Sequence, residues 1–295
     1  MTFDHVFRTD KINCDGVGIH YRIAGGGPAL LLIHGYPQTG YMWHKIATQL
    51  AANFTVIIPD LRGYGDSDKP PTDADHSPYS KRAMADDMVT MMNILGHRKF
   101  AVAGHDRGGR VAHRLARDHG EAVSKLAVLD IAPTAAMYKA TDKEFATAYY
   151  HWFFLIQPAP YPERLIVSDP RFFLEHKMGH WGRTEGAITD RAFAEYLRCF
   201  SNPETIHASC EDYRASARID LEHDAKDASA KLKMPVLALW GDVGFVGRTY
   251  DVIAEWKKVA VNVSGHAVPG GHFLAEESPD QTLNALSTFF SDNAL

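Results

Sequence analysis

Residues 99–110, KFAVAGHDRGGR, decide the fold class of this 295-residue chain. The apolar run 99–103 is typical of a buried strand, and the residues after Asp106 begin a pattern typical of a helix. Between them, residues 104–108 match the strand–turn–helix pattern G-x-S-x-G, with Asp106 at the serine position. The small residues permit a sharp turn. That turn raises the Asp106 side chain above the sheet edge, in front of the amides that open a helix.

Similar apolar runs recur along the chain and are separated by helical patterns. Besides residues 99–103 they are residues 29–33, 54–58, 125–129, 235–239 and 259–263. Continuous apolar strands joined by helices predict an α/β fold with a mostly parallel central sheet and helices on both faces. Ligands of such sheets bind at the carboxyl ends of the strands, so the loops there are where we expect the site.

The segment 134–214 interrupts this alternation. It is rich in aromatic residues and helix formers and has no strand-like run. We therefore predict a helical cap at residues 134–214, inserted into a core that is made of residues 1–133 and 215–295.

Composition excludes several classes of protein. The net charge is −5, with 31 Lys and Arg against 36 Asp and Glu, so the basic excess of a typical nucleic-acid binder is missing. We find neither an apolar signal segment nor a run of ~18 apolar residues that would span a membrane, which favours a cytoplasmic protein. Three cysteines without zinc or redox spacing predict reduced thiols. The 16 histidines form no metal-ligand motif, and we expect no metal.

An aspartate at the turn changes the chemistry that a serine would support. A carboxylate is a competent nucleophile toward saturated carbon, where it forms an ester that water can cleave. Dehalogenation and epoxide opening are the classes expected. The alternative is that Asp106 only caps the following helix.

The chain order nucleophile, acid, histidine supplies candidates for the two partners of Asp106. His272 follows two glycines near the C-terminus and is the expected general base, with His266 as the alternative. Asp130 follows the run 125–129 and is the expected acid, which would orient the histidine. Asp242, in the segment WGDVG at 240–244, is the alternative acid.

Two arginines follow the nucleophile. Arg107 and Arg110 share one helix face, in the first turn, where the macrodipole disfavours cations. They would bind an anion such as a carboxylate through two hydrogen bonds. Their positive charge would offset the repulsion between that anion and the Asp106 carboxylate. Alternatively they pair with acidic side chains or point to solvent.

These residues carry a family resemblance. The chain resembles the α/β-hydrolase superfamily over its whole length and, within it, the fluoroacetate (haloacetate) dehalogenases. The resemblance rests on residues 34–38 (HGYPQ), 60–67 (DLRGYGDS) and 104–110 (GHDRGGR), together with Asp130 and His272. The run HDRGGR is the specific part, because haloalkane dehalogenases and many epoxide hydrolases have Trp where Arg107 stands.

The resemblance implies a reaction and further site residues. Asp106 would displace the halide of a small anionic haloacid, and His272 would activate water to cleave the resulting ester, without metal or organic cofactor. The departing halide would accept hydrogen bonds from the cap residues His151, Trp152 and Tyr213. The backbone amides of Tyr36 and Arg107 would hold the oxyanion, and His34 and Trp181 would line the pocket. A homodimer is also implied.

Three alternatives stay open, the last of which is a haloacid enzyme that prefers chloride over fluoride. An epoxide hydrolase would use the same Asp–Asp–His set and would need a cap tyrosine, Tyr149 or Tyr150, as donor to the epoxide oxygen. A non-catalytic ligand-binding protein on the same scaffold is the second alternative.

Overall fold

The computed structural model describes residues 2–291. Within them the chain forms one eight-stranded sheet, made of β1 (Arg8–Cys14), β2 (Val17–Ala24), β3 (Ala29–Ile33), β4 (Thr55–Pro59), β5 (Phe100–His105), β6 (Val123–Leu129), β7 (Val236–Gly241) and β8 (Val263–Val268). The strand order is β1-β2-β4-β3-β5-β6-β7-β8. β2 pairs antiparallel with β1 and β4, and the remaining neighbours are parallel. The mostly parallel sheet predicted above is confirmed.

Helices fill the connections between the strands. In the same residues they are α1 (Phe3–Val6), α2 (Ala47–Leu50), α3 (Lys81–Ile94), α4 (Arg107–Asp118), α5 (Thr134–Lys139), α6 (Lys143–Ala148), α7 (Tyr150–Phe154), α8 (Tyr161–Ser168), α9 (Pro170–Trp181), α10 (Asp190–Phe200), α11 (Pro203–Ala217), α12 (Ile219–Lys226), α13 (Phe245–Thr249), α14 (Val252–Val259), α15 (Leu274–Glu277) and α16 (Pro279–Ser291). None of these helices combines the length and apolar character that a bilayer span requires.

The segment between β6 and β7 is helical throughout its regular structure, from α5 to α12. The predicted cap boundary at residues 214/215 falls inside α11, and α12 follows before the chain returns to the sheet. The division into core and cap therefore stays a prediction, although the insertion point after β6 coincides with the start of this helical segment.

Five predicted strands coincide with β3 to β7 to within a few residues, but the sixth is misplaced. Residues 252–259 form α14, and β8 begins only at Val263. The physical reason is the position of β8 at the sheet edge. Most of its residues are partly or fully exposed, so it lacks the continuous apolar run that marks a central strand.

The sheet brings three loops to one edge. The ends of β5 and β6 lie side by side, with His105 opposite Leu129, and Leu129 in turn lies opposite Leu239 of β7. Residues that follow these strands therefore meet at a common carboxyl edge, where ligands of parallel sheets bind.

Candidate active site

Asp106 occupies a strained turn between β5 and α4. Its backbone angles are φ 47° and ψ −117°, in a region that costs a non-glycine residue about 1–3 kcal/mol. The turn is close-packed, because a Cβ on Gly108 would come within 2.2 Å of the His34 carbonyl oxygen. The Asp106 side chain makes no capping hydrogen bond to α4, so the helix-cap alternative has no support. Instead its Oδ1 accepts a hydrogen bond of 2.9 Å from the backbone amide of Tyr36, one of the two predicted oxyanion amides.

His272 lies between the two aspartates. Its Nδ1 donates to Oδ2 of Asp130 at 2.6 Å, and its Nε2 lies 3.8 Å from Oδ2 of Asp106. Asp130 is fixed in turn by the backbone amide of Gly241, which donates to its Oδ1 at 3.1 Å. With the proton on Nδ1, the lone pair of Nε2 faces Asp106, as a general base in this place requires.

The alternative candidates lie elsewhere. Asp242 is exposed and accepts a hydrogen bond from the amide of Gly270, and His266 is exposed on the edge strand β8. The position of Gly244 shows that an acid after either β6 or β7 could reach the same place. A Cβ at Gly244 would lie 3.4 Å from Oδ1 of Asp130, so the loops after β6 and β7 approach the same point.

Burial and charge oppose one another in these three groups. Burial alone would raise the pKa of Asp106, but the positive fields of His272, His105, Arg110 and Arg107 outweigh it and hold that pKa below its ordinary value. Burial lowers the pKa of His272, but the hydrogen bond and charge of Asp130 prevail and raise it. Burial raises the pKa of Asp130. Asp106 is therefore ionised, which is the state that the predicted nucleophile requires.

Arg107 is completely buried and already has an acidic partner. Its Nε and Nη2 donate to the two carboxylate oxygens of Asp212, at 3.0 and 2.5 Å, and Nη2 also donates to the Asp212 carbonyl oxygen. This carboxylate outweighs burial and holds the pKa of Arg107 well above its ordinary value. In the described part of the chain Nη1 donates one hydrogen bond, of 3.3 Å, to the hydroxyl of Ser216, so it is the nitrogen of the group with most capacity left to bind a ligand. The ion-pair alternative thus applies to Arg107.

Arg110 differs from Arg107, although it is equally buried. Its Nη1 donates to the hydroxyl of Thr134 at 2.8 Å and to the Ala132 carbonyl oxygen at 3.3 Å, and its Nη2 contacts the Met137 sulfur. None of these groups carries charge, and Nε has no hydrogen-bond partner among residues 2–291. Burial and the charge of Arg107 lower its pKa, as expected for a cation without a carboxylate partner.

Three cap residues contribute buried polar atoms without hydrogen-bond partners. They are Nδ1 of His151, Nε1 of Trp152 and the hydroxyl of Tyr213, judged over the described residues. The Arg107 guanidinium lies 4.1 Å from the Tyr213 ring centre, and the Arg110 guanidinium lies 4.8 Å from the Trp152 ring centre. Burial lowers the pKa of His151 far enough to keep the imidazole neutral, so one ring nitrogen carries a proton. Tyr213 and Trp152 thus lie beside the two arginines, and the His151 ring centre lies 5.5 Å from that of Tyr213.

Trp181 and His34 have different surroundings. The Trp181 ring centre lies 4.5 Å from His151 and 5.5 Å from His272. With Tyr149, Trp181 lines a cavity of about 40 Å³ that reaches His272 and Asp130, enough for a water molecule. His34 is buried, with Nδ1 bonded to the Gly35 carbonyl oxygen and Nε2 accepting from the Leu61 amide, so no ring nitrogen is left for a ligand. Two larger clefts, of about 890 and 720 Å³, are lined by none of the predicted site residues, and we favour the small cavity because His272, Asp130 and Trp181 line it.

Two components of the site were missed in the sequence. Asp212 neutralises Arg107 and also pairs with Lys81, and it accepts a hydrogen bond from the Tyr64 hydroxyl at 2.6 Å. The hydroxyl of Tyr36 is buried without a partner in the described chain, and its ring lies 5.2 Å from that of Tyr213. Tyr36 was singled out only for its amide. The position of Asp212 directly before Tyr213 was the one available signal.

Clusters with metal-ligand spacing do occur outside this site. In the described residues they are His20–Asp60–Asp66, Asp66–Glu195–Cys199 and Glu163–His207–Glu211. An arginine already pairs with carboxylates in each cluster: Arg22 with Asp60, Arg198 with Asp66 and Glu195, and Arg214 with Glu163 and Glu211. Because an arginine guanidinium already offsets carboxylate charge in each cluster, we assign no metal ion to them.

Comparison with known proteins agrees with this geometry. The family model of the alpha/beta hydrolase fold matches residues 28–279. A fluoroacetate dehalogenase from Burkholderia sp is 43% identical over 97% of this chain and 94% of its own length. A soluble epoxide hydrolase from Corynebacterium sp. (strain C12) is 38% identical over 94% of this chain and 95% of its own. The crystal structure of ALR0039 from Nostoc sp PCC 7120 superposes with a TM-score of 0.97 at 55% identity, covering 98% of this chain and 99% of that one.

Proposed function

Since the chain belongs to the alpha/beta hydrolase fold family and is a hydrolase, we propose that it cleaves the carbon–halogen bond of a short 2-haloacid such as fluoroacetate. The observation that carries the proposal is the set of unpartnered polar atoms on His151, Trp152 and Tyr213, the last two of which lie beside buried guanidiniums. A buried donor without a partner costs about 1–3 kcal/mol, so several at one place indicate a ligand that accepts hydrogen bonds. A halide leaving a small anion is such a ligand.

Substrate binding assigns unequal roles to the two arginines. Among residues 2–291 Arg110 forms no ion pair, although Asp106 lies close enough to oppose the lowering of its pKa by burial, so we assign to Arg110 the positive charge that binds the substrate carboxylate. Arg107 contributes Nη1, while Asp212 holds its other nitrogens in place. A fixed guanidinium loses little entropy when it binds a carboxylate.

The first chemical step forms an ester. Oδ2 of Asp106 attacks the α-carbon, the carbon–halogen bond breaks, and the electron pair leaves with the halide. Oδ1 remains bonded to the Tyr36 amide, which aims the carboxylate. His151, Trp152 and Tyr213 donate to the departing halide, whose charge develops in a site that is closed to bulk water. Fluoride, a small and poor leaving group, depends most on such donors.

The second step cleaves the ester. Nε2 of His272 removes a proton from water, and the water oxygen attacks the Asp106 carbonyl carbon rather than the substrate carbon. The Tyr36 amide, with the Arg107 amide at the start of α4, stabilises the oxyanion. Collapse releases the hydroxyacid and regenerates the Asp106 carboxylate. Asp130 holds the imidazole by its 2.6 Å hydrogen bond and stabilises the imidazolium.

Epoxide hydrolysis is the second candidate, and one observation favours it. The hydroxyls of Tyr36 and Tyr213 are both buried and unpartnered in the described residues, and such a pair can donate to an epoxide oxygen. Of the two tyrosines suggested by the sequence, Tyr150 is exposed beside Lys177, whereas Tyr149 lines the small cavity that reaches His272. The charged guanidiniums beside Asp106 favour an anionic substrate over a neutral epoxide.

A direct test measures halide release from fluoroacetate and chloroacetate, and diol formation from styrene oxide. We expect halide release by the wild type and none by Asp106→Asn, with diol formation slow or undetectable. A single turnover in ¹⁸O-labelled water should place the label in Asp106 before it appears in product. Diol formation without halide release would favour the epoxide candidate. Halide release that survives in Asp106→Asn, with deamidation excluded by mass spectrometry, would refute the nucleophile.

The remaining expectations from the sequence concern the cell and the assembly. Cytoplasmic location and a homodimer stay predictions, which fractionation and light scattering would test. The binding of a small haloacid rests on the same proposal as the reaction.

A further inference from the structure

The carboxylate of Glu277 accepts hydrogen bonds from four backbone amides, which belong to two separate parts of the chain. Its Oε2 accepts from Gly271 at 2.9 Å, from Arg183 at 2.8 Å and from Thr184 at 3.1 Å, and its Oε1 accepts from Phe273 at 2.8 Å. The side chain is nearly buried, with a residue exposure of 9%. Hydrogen bonds from several amides to one ionised group are short and strong, so this carboxylate joins the two segments firmly.

The two segments carry site residues at adjacent positions. Gly271 and Phe273 flank His272, so Glu277 binds one backbone amide before the histidine and one after it. Arg183 and Thr184 follow the C-terminus of α9, which ends at Trp181, and the Trp181 ring packs 5.5 Å from that of His272. A fifth hydrogen bond, 3.2 Å long, runs from the His272 amide to the Trp181 carbonyl oxygen.

Close packing makes the junction specific. A Cβ on Gly271 would lie 2.4 Å from the Trp181 carbonyl oxygen, so the two backbones touch without an intervening side chain. His272 has to present Nδ1 to Asp130 and Nε2 to Asp106 at once, over 2.6 and 3.8 Å. A shift of the loop backbone by about 1 Å would spoil one of the two, and shifts of that size cost about 10²-fold in rate.

We propose that Glu277 is a positioning residue, which holds His272 in place for water activation and fixes the cap segment after Trp181 to the histidine loop. The negative charge of Glu277 also adds to the field that favours the charged form of His272. The proposal rests on the ester mechanism above. It predicts that Glu277 matters for the step that uses His272 and little for the attack by Asp106.

The experiment compares Glu277→Gln with the wild type in rapid-quench assays on chloroacetate. Glutamine keeps the shape but replaces one acceptor oxygen by a donor that opposes the amides. We expect the halide burst to keep its rate within about threefold. Ester hydrolysis should slow by tenfold to a hundredfold, and the Asp106 ester should accumulate in intact-mass spectra. The His272 pKa, followed by NMR, should fall.

Glu276→Gln is the matched control. Glu276 is the neighbouring buried acid of α15, but it binds the Gln38 amide and the Tyr196 hydroxyl instead of the histidine loop. We expect no ester to accumulate in this variant. The proposal would be overturned if halide release and ester hydrolysis slowed equally in Glu277→Gln, or if the steady-state rate of that variant were unchanged. Equal accumulation of the ester in Glu276→Gln would also overturn it.

Hydrogen exchange of the wild type provides a test that needs neither variant nor substrate. The amides of residues 183, 184, 271 and 273 should exchange slowly and with one common opening free energy, since they share one acceptor group. Fast or unrelated exchange would overturn the proposal. If the wild type released no halide, the proposed reaction would be refuted. The exchange measurement would still test the hydrogen bonds of Glu277 independently of that result.

Discussion

Asp212 binds Arg107 through both carboxylate oxygens, at 3.0 and 2.5 Å, and both side chains are fully buried. Asp212 also faces Lys81, so its removal leaves two buried cations short of one negative charge. We expect Asp212→Asn to lower the free energy of unfolding by about 3–5 kcal/mol. Chemical denaturation followed by tryptophan fluorescence measures this. Asp66→Asn, which breaks the exposed pair with Arg198, should cost less than about 1 kcal/mol. Equal losses in the two variants would contradict the assignment.

Arg110 should matter for substrate charge and little for stability. Arg110→Gln removes a buried cation that has only neutral hydrogen-bond partners, so we expect an unchanged or slightly higher free energy of unfolding. For chloroacetate, the loss of charge-assisted hydrogen bonds should reduce kcat/KM by roughly 10- to 150-fold. Chloroacetamide, which has no charge, serves as the comparison substrate and should lose much less. A similar loss of kcat/KM with both substrates would show that Arg110 does not bind the substrate carboxylate.

The Tyr213 hydroxyl should contribute to the departure of halide. Tyr213→Phe removes a buried hydroxyl that has no hydrogen-bond partner among residues 2–291, so stability should not fall. The rate with fluoroacetate should fall by about 10- to 10³-fold, and the rate with bromoacetate by less, since bromide needs less help to leave. Tyr79→Phe is the control, because the hydroxyl of Tyr79 is bonded to the Pro70 carbonyl oxygen. It should cost about 1 kcal/mol of stability and leave the ratio of the two rates unchanged.

Asp130 should set the pH dependence of ester hydrolysis. His272 acts as a base only when neutral, so the hydrolysis rate rises with pH through the pKa of His272. Asp130 holds that pKa above its ordinary value, and Asp130→Asn should therefore move the rising limb to lower pH while reducing the plateau. The halide burst depends on Asp106, whose pKa lies below its ordinary value, and should stay flat over the same range. Stopped-flow and rapid-quench measurements separate the rate of the halide burst from the rate of ester hydrolysis. An unmoved limb would exclude Asp130 as the partner of His272.

Much of the fold and half of the site could be predicted from local sequence. The central strands are continuous apolar runs, and the glycines around Asp106 indicate a sharp turn. β1 escaped prediction because six of its seven residues are partly or fully exposed, so it carries no apolar run.

The unpredicted part of the site depends on contacts between distant segments. Asp212 and Arg107 are 105 residues apart, and Glu277 reaches Arg183 across 94. Neither spacing nor composition marks such pairs. The same limit explains why both arginines looked alike in sequence, although a carboxylate from α11 balances only one of them.

The neutral surroundings of Arg110 have a consequence for competition. A guanidinium that lacks a carboxylate partner attracts any small monoanion of suitable shape, whether or not it carries a halogen. Acetate, formate and the hydroxyacid product should therefore all occupy the pocket and inhibit turnover. Discrimination among these anions would come from the group that Asp106 is able to displace from the α-carbon, because the anchoring charge is the same for all of them.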